Sequence, residues 1–178
     1  VVSVDPDADA PTLDLTAASG TEDQPIDLVI ATAETDTDGN ETLSITIDDI
    51  PPGAVLTNTA GDTIDIADGS ATLTPDQLAG LQITPPADSD VDFTLSVTST
   101  STDGTDTAST SGDLVVSVDP DADAPTLDLT AASGTEDQPI DLVIATAETD
   151  TDGNETLSIT IDDIPPGAVL TNTAGDTI

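Results

Sequence analysis

Residues 1–64 reappear letter for letter as residues 115–178, so the chain is one full period of 114 residues followed by 64 residues of the next. A period of that length is a domain, not a solenoid coil, whose units run to roughly 20–50 residues. The fold must therefore bury a core within one period and join head to tail with a copy of itself. At the join stands VDPDADAP, at 4–11 and again at 118–125. Proline near each end of that stretch disfavours helix and biases the backbone towards extended conformations. Asp5, Asp7 and Asp9 in the first copy, and Asp119, Asp121 and Asp123 in the second, crowd carboxylates into one short connector.

Nothing in the composition neutralises them. The chain has 37 acidic residues and no Lys, Arg or His, for a net charge of −37. Nucleic acid and anionic membrane surfaces are repelled by such a chain, and any electrostatic partner is cationic. Cysteine is absent, so no disulfide supports the fold. No apolar run approaches the ~18 residues of a membrane span, so direct membrane insertion is not expected. High charge with a lone aromatic, Phe93, leans towards disorder. Against that, 26 of the first 114 residues are Val, Ile, Leu or Phe. That is about 23%, above the roughly 20% below which disorder is expected, and these residues are patterned.

The pattern is that of strands. Residues 12–18 alternate apolar and polar, the period of a half-buried strand, and Gly20 ends the run. Residues 26–31 form a second strand, followed by the polar loop TDTDGNE at 35–41. Leu43, Ile45 and Ile47 alternate through 42–48, and Pro51, Pro52 and Gly53 make a hard turn. Short strands follow at 55–58, 63–67 and 71–73, separated by turns at Gly61 and at Asp68-Gly69. Thr74-Pro75-Asp76-Gln77 is the one helix start, with Thr74 as cap, proline at the first position and Gln77 three residues on. Gly80 limits it to a single turn. A short strand at 81–84 is broken by Pro85-Pro86. Residues 92–101 put Phe93, Leu95 and Val97 on one face, and Gly104 turns the chain into a long strand at 105–118 bulged at Gly112. Eight or nine short strands in roughly 110 residues, almost no helix and no βαβ rhythm predict an all-β, immunoglobulin-like β-sandwich in tandem repeats. The expected domains are 1–9 (last strand of a preceding repeat plus acidic linker), 10–118 (a complete sandwich), 119–125 (an interdomain linker) and 126–178 (the first part of the next sandwich).

The acidic residues are the candidate chemistry. Asp36, Asp38, Gly39, Asn40 and Glu41 form D-x-D-G-N-E, oxygen ligands around a glycine that permits a tight reversal. That donor set suits Ca²⁺, which takes 6–8 oxygens in flexible geometry, better than Mg²⁺ with its strict octahedron. Zn²⁺ is disfavoured because neither His nor Cys is present. The plain alternative is a solvated turn, since Asp, Asn and Gly are turn formers. A second constellation joins Glu22 and Asp23, after the first strand, to Asp88, Asp90 and Asp92 and to the connector, because loops at one end of a sandwich converge. Without a cation, holding two such carboxylates ~5 Å apart costs about 1–3 kcal/mol. Bound Ca²⁺ reverses that sign. The repeat places the same groups at Glu136, Asp137, Asp150, Asp152, Asn154 and Glu155 in the second copy.

VDPDADAP resembles the D-x-N-D-N-A-P connector of cadherins, with Asp119, Asp121 and Asp123 on its acidic positions and Ala124-Pro125 on its A-P. Asp121 stands where that pattern carries Asn. Glu22 resembles the cadherin glutamate near the first strand, and Asp90 and Asp92 its D-x-D pair. The blocks GTEDQPIDL, TDTDGNETLSITI, IPPGAVLTNTAGDTI and ATLTPDQLAGLQITPPADSDVDFTLSVTSTSTDGT are similar to the tandem extender repeats of bacterial RTX adhesins, over nearly the whole 114-residue unit. The resemblance implies Ca²⁺-stabilised sandwiches strung into a rod that holds a ligand-binding tip away from the cell, exported by type I secretion to the bacterial surface or beyond. The G-G-x-G-x-D-x-U-x nonapeptides of that family do not occur here.

Other functions find little in these residues. A carboxylate pair such as Asp48-Asp49 or Asp90/Asp92 could be nominated for glycoside hydrolysis, but one Phe in the chain supplies no sugar platform. Nucleophilic catalysis lacks His and Cys, so no enzyme is expected. The leading expectation is a calcium-rigidified spacer whose partners are neighbouring repeats. One alternative is the shaft of a self-assembling extracellular filament, with other copies of the chain as partners. Another is a module that itself binds ice or a sugar, against which stands the absence of Tyr, Trp and Arg.

Overall fold

The computed structural model describes residues 6–36, 39–150 and 153–177. The chain divides into two compact units, Val1–Ala122 and Asp123–Ile178. Both are all-β.

In the first unit, the alternating run after the connector divides. Its opening part is β1 (Thr12–Thr16), and β2 (Ala18–Thr21) continues it in a different sheet. The sequence expectation of one strand ended by Gly20 is corrected here. Gly20 lies inside β2, paired with Val118. A glycine is needed there because a Cβ would stand 2.6 Å from Cγ1 of Ile26. The next run is likewise two segments, β3 (Ile26–Asp27) and β4 (Val29–Ala33), on either side of Leu28. Leu28 stays in line, its N–H donating to the Leu81 carbonyl at 2.9 Å.

The remaining strands are β5 (Thr42–Asp48), β6 (Val55–Thr57), β7 (Thr63–Ile64), β8 (Ala71–Leu73), β9 (Gln82–Thr84), β10 (Phe93–Asp103) and β11 (Asp106–Asp119). A 3₁₀ turn at Pro75–Leu78 is the expected one-turn helix, with Gln77 Oε1 accepting from the Thr74 N–H at 2.9 Å. One sheet has the order β2-β11-β10-β5-β8. Its β2–β11 pair is parallel, with Val116 opposite Ala18, and its other pairs are antiparallel. The second sheet is β3-β9-β6-β7, and β1 pairs with β4 in register from Thr12↔Ala33 to Thr16↔Val29. Because β3 and β4 are one stretch of chain, these last two ladders adjoin. The β10–β11 register runs unbroken from Phe93↔Val116 to Asp103↔Asp106, with Gly112 squarely opposite Val97. The bulge expected at Gly112 is therefore absent. Glycine at 112 relieves crowding instead, since a Cβ there would come 3.0 Å from Leu15 Cδ1.

The core lies between these sheets. Ile45, Ile47, Leu73, Leu95, Val97, Leu114 and Val116 bury against Ile26, Leu28, Leu56, Ile64 and Ile83, consistent with a β-sandwich. Phe93 packs at its margin. The inward face of β10 continues past Val97 as Ser99 and Ser101, both fully buried. The core thus grades from aliphatic to hydroxylic along β10, towards the end where the chain enters.

In the second unit, β12 (Thr126–Thr130) pairs with β13 (Val143–Ala147) in the register of β1 and β4, Thr126↔Ala147 to Thr130↔Val143. A bridge at Thr171↔Thr177 repeats the Thr57↔Thr63 pair. No other named strand forms there among the described residues. No described helix of the chain is long and apolar enough to cross a membrane.

Candidate metal centre

Two acidic groups form in the first unit, at opposite ends of β11. At its C-terminal end, the parallel pairing of β2 carries Glu22 to the point where the connector begins. The Glu22 N–H donates to the Asp119 carbonyl at 3.0 Å. The Asp121 N–H in turn donates to Glu22 Oε1 at 2.6 Å. The glutamate is only 2% exposed and its Oε2 is buried. Asp23 follows in the left-handed region, φ 56°, which Asp tolerates better than most residues, and Asp88 adopts φ 54°. The Asp88 N–H donates to Asp23 Oδ1 at 3.2 Å, and a carboxylate oxygen of each lies within 4.8 Å of the other. Asp92 joins from the loop before β10, its Oδ1 accepting from the Val118 N–H at 2.8 Å. Asp90 is half-buried between them in sequence. Carboxylate oxygens suit a hard cation such as Ca²⁺, and Asp23 and Asp88 belong to an acidic group that could hold a metal ion.

The other group forms where the chain enters. The Ala8 N–H donates to Asp106 Oδ2 at 3.0 Å, and the Asp9 N–H to Glu41 Oε1 at 2.7 Å. Glu41 Oε2 accepts from Ser101 Oγ at 2.8 Å. Thr35 Oγ1 donates to the Ala10 carbonyl at 3.0 Å, and Thr110 Oγ1 to that of Pro11 at 2.6 Å. Asp7, Asp9 and Asn40 are exposed and Asp36 is half-buried. In the second unit the same contacts recur, Asp123 N–H to Glu155 Oε1 at 2.8 Å and Thr149 Oγ1 to the Ala124 carbonyl at 3.1 Å. There Asp150 is 9% exposed, whereas Glu136, Asp137 and Asn154 are exposed.

The expected grouping of Glu22, Asp23, Asp88 and Asp92 around the connector is thus present in the first unit through Asp119 and Asp121. The 35–41 loop, which the sequence sets apart, also meets a connector, the one entering the unit, through Thr35 and Glu41. Asp5, Asp38 and Asp152 lie outside the described residues. Sequence reasoning passed over Asp106, Ser101 and Thr110. For Ser101 a signal existed, because the alternation Phe93-Leu95-Val97 continues to Ser99 and Ser101. Asp106 had none, since an acidic residue after Gly104 reads as an ordinary solvated turn.

No protein-family model matches this chain, and no curated protein does. Among solved structures the chain is similar to a conjugative transposon lipoprotein from Bacteroides eggerthii. The two are 10% identical, with 58% of this chain and 95% of that one covered, at a TM-score of 0.34. So slight a likeness carries no argument about function.

Proposed function

We propose that this chain is part of a tandem array of immunoglobulin-like, cadherin-like β-sandwiches that serves as a structural spacer, with Ca²⁺ setting its connectors. The strand orders support the finer fold. The sheet containing β5-β10-β11 corresponds to C-F-G of an immunoglobulin-type sandwich, and the run β1-β4/β3-β9-β6 to A-B-E-D. The observation that carries the function is the grip of Glu22 on the Asp121 amide beside Asp23, Asp88 and Asp92. Carboxylates are gathered where one repeat hands over to the next, in a chain with no Lys, Arg or His to balance them. Glu22, Asp23, Asp88, Asp90, Asp92, Asp119 and Asp121 would hold the cation, with Asp36 and Asn40 supplying oxygens at the entry side. Bound there, Ca²⁺ converts mutual repulsion into shared coordination and stiffens the connector. The setting that fits such a spacer is the outside of a bacterial cell, in an adhesin of RTX type.

The test is thermal unfolding of the full chain in EDTA and in millimolar Ca²⁺. A ligand present at about 100 times its Kd adds about 2.7 kcal/mol to the folded state, and several sites add more, so the melting temperature rises by many degrees. An identical melting temperature in both buffers would sink the proposal.

A further inference from the structure

Glu41 belongs to the acidic loop by sequence, but its geometry is that of a clasp. Both of its oxygens already receive protein donors, Oε1 from the Asp9 amide at 2.7 Å and Oε2 from the Ser101 hydroxyl at 2.8 Å, and the residue is 8% exposed. We infer that Glu41, with its repeat-mate Glu155, is a positioning residue that fastens the connector's backbone to the sandwich, and is not itself a ligand of the cation.

The two copies supply the argument. In the first, the clasp could be credited to the finished core, since Ser101 comes from β10 and Thr110, which holds Pro11, from β11. The second unit has no counterpart of β10 or β11 among its residues. The Asp123–Glu155 bond forms there all the same, at 2.8 Å against 2.7 Å. What the copies share is the ladder whose last pair is Thr12↔Ala33 in one and Thr126↔Ala147 in the other. Beyond that pair the two chain segments leave side by side. A threonine hydroxyl ties them first, at Ala10 or Ala124, and the glutamate ties them next, at Asp9 or Asp123. The clasp is therefore an outward continuation of a local strand pair. It fixes the path of the connector's last residues before any cation arrives, and it does so through the backbone, which leaves the carboxylates of Asp9 and Asp123 free to serve elsewhere. A carboxylate receiving an N–H makes one of the stronger hydrogen bonds available to a side chain.

This inference rests in part on the proposed role of the connector carboxylates in cation binding, and the experiment separates the two. The full chain is compared as wild type, Glu155→Ala and Glu155→Gln, because residue 155 lies in the unit where Ile159 and Ile161 are 55% and 41% exposed, so the substitution disturbs no tight packing. Hydrogen exchange at the Asp123 amide is read in EDTA, and Ca²⁺ is titrated calorimetrically. Glu155→Ala should speed exchange at Asp123 about tenfold or more, the loss of one charge-assisted hydrogen bond. Glu155→Gln, whose amide carbonyl still accepts, should restore most of the protection, and both variants should bind as many Ca²⁺ ions as wild type. Unchanged exchange in Glu155→Ala overturns the clasp. Loss of one Ca²⁺ in the Gln variant makes the residue a ligand and overturns it as well. A wild-type chain that binds no Ca²⁺ defeats the proposed function and leaves the exchange comparison to decide the clasp.

Discussion

The same 64 residues occur twice in this molecule and meet two different fates. In the first copy Ile26, Leu28, Ile45, Ile47 and Ile50 are between 0 and 4% exposed. Their counterparts Ile140, Leu142, Ile159, Ile161 and Ile164 are between 41 and 55% exposed. Residues 42–48 form β5 in the first copy, and the identical residues 156–162 form no strand. Sequence is held constant, so the difference isolates what neighbours contribute. β5 is made by its partners β10 and β8, with Val97 opposite Ile47 and Leu73 opposite Ile45. Those partners lie tens of residues away, and residues equivalent to them do not occur within 123–178.

What survives in both copies is equally informative. The β1–β4 ladder recurs as β12–β13 in the same register. The Ala54 N–H reaches the Pro51 carbonyl at 3.1 Å, and Ala168 reaches Pro165 at 3.0 Å. The Gly61–Asn58 bond recurs as Gly175–Asn172, both 3.0 Å, and Asn58 Oδ1 accepts from the Asp62 amide much as Asn172 does from Asp176. Every surviving contact closes a loop within one half of the repeat. Short loops cost little chain entropy to close, so these pieces form without the rest.

The largest effect should come from extending the second copy. A chain continued beyond residue 178 by a second copy of residues 65–118 should fold its second repeat like the first. The amides of Ile159 and Ile161 should then pass from fast exchange to protection approaching the stability of a whole domain, about 5–15 kcal/mol. Continued fast exchange would mean that the two copies differ for some reason other than the pairing that residues 65–118 supply.

A smaller effect, but a sharper contrast, comes from making one substitution at two identical positions. Ile45→Ala empties a fully buried site and should cost the first unit about 2–5 kcal/mol in urea unfolding. Ile159→Ala, at a side chain 55% exposed, should change stability by less than about 0.5 kcal/mol. Equal losses would show that the second copy carries a core of its own. Smaller again is the pair Gly20→Ala and Gly134→Ala. Each new Cβ would meet an isoleucine Cγ1 at 2.6 Å, of Ile26 or Ile140 respectively. Ile26 is 2% exposed and hemmed in, so overpacking should cost about 1–3 kcal/mol. Ile140 is 46% exposed and can swing away, so its cost should be a fraction of that. Val29→Thr and Val143→Thr close the series as controls, since the two valines are 55% and 56% exposed and both changes should fall within about 0.5 kcal/mol.

The sequence alone determined the repeat, the all-β character, the alternating faces of β5 and β10, and the oxygen-only chemistry open to any bound cation. These are properties of composition and of period two, and they need no knowledge of partners. It also determined the turns at Pro51 and Gly61, which form in both copies because their hydrogen bonds span a few residues. The tertiary structure decided the rest. It divided the first alternating run between two sheets, because β2 finds a parallel partner in β11 that lies about a hundred residues further on. It paired Gly112 with Val97 in an unbroken register and brought Leu15 Cδ1 to 3.0 Å from where a Cβ there would stand. It sorted the acidic residues, giving Glu22 and Glu41 to backbone amides of the connectors and leaving Asp7 and Asp9 exposed. A carboxylate in a run of carboxylates has no local signature of its eventual partner. Its role is fixed only when strands distant in the chain bring a particular N–H within reach.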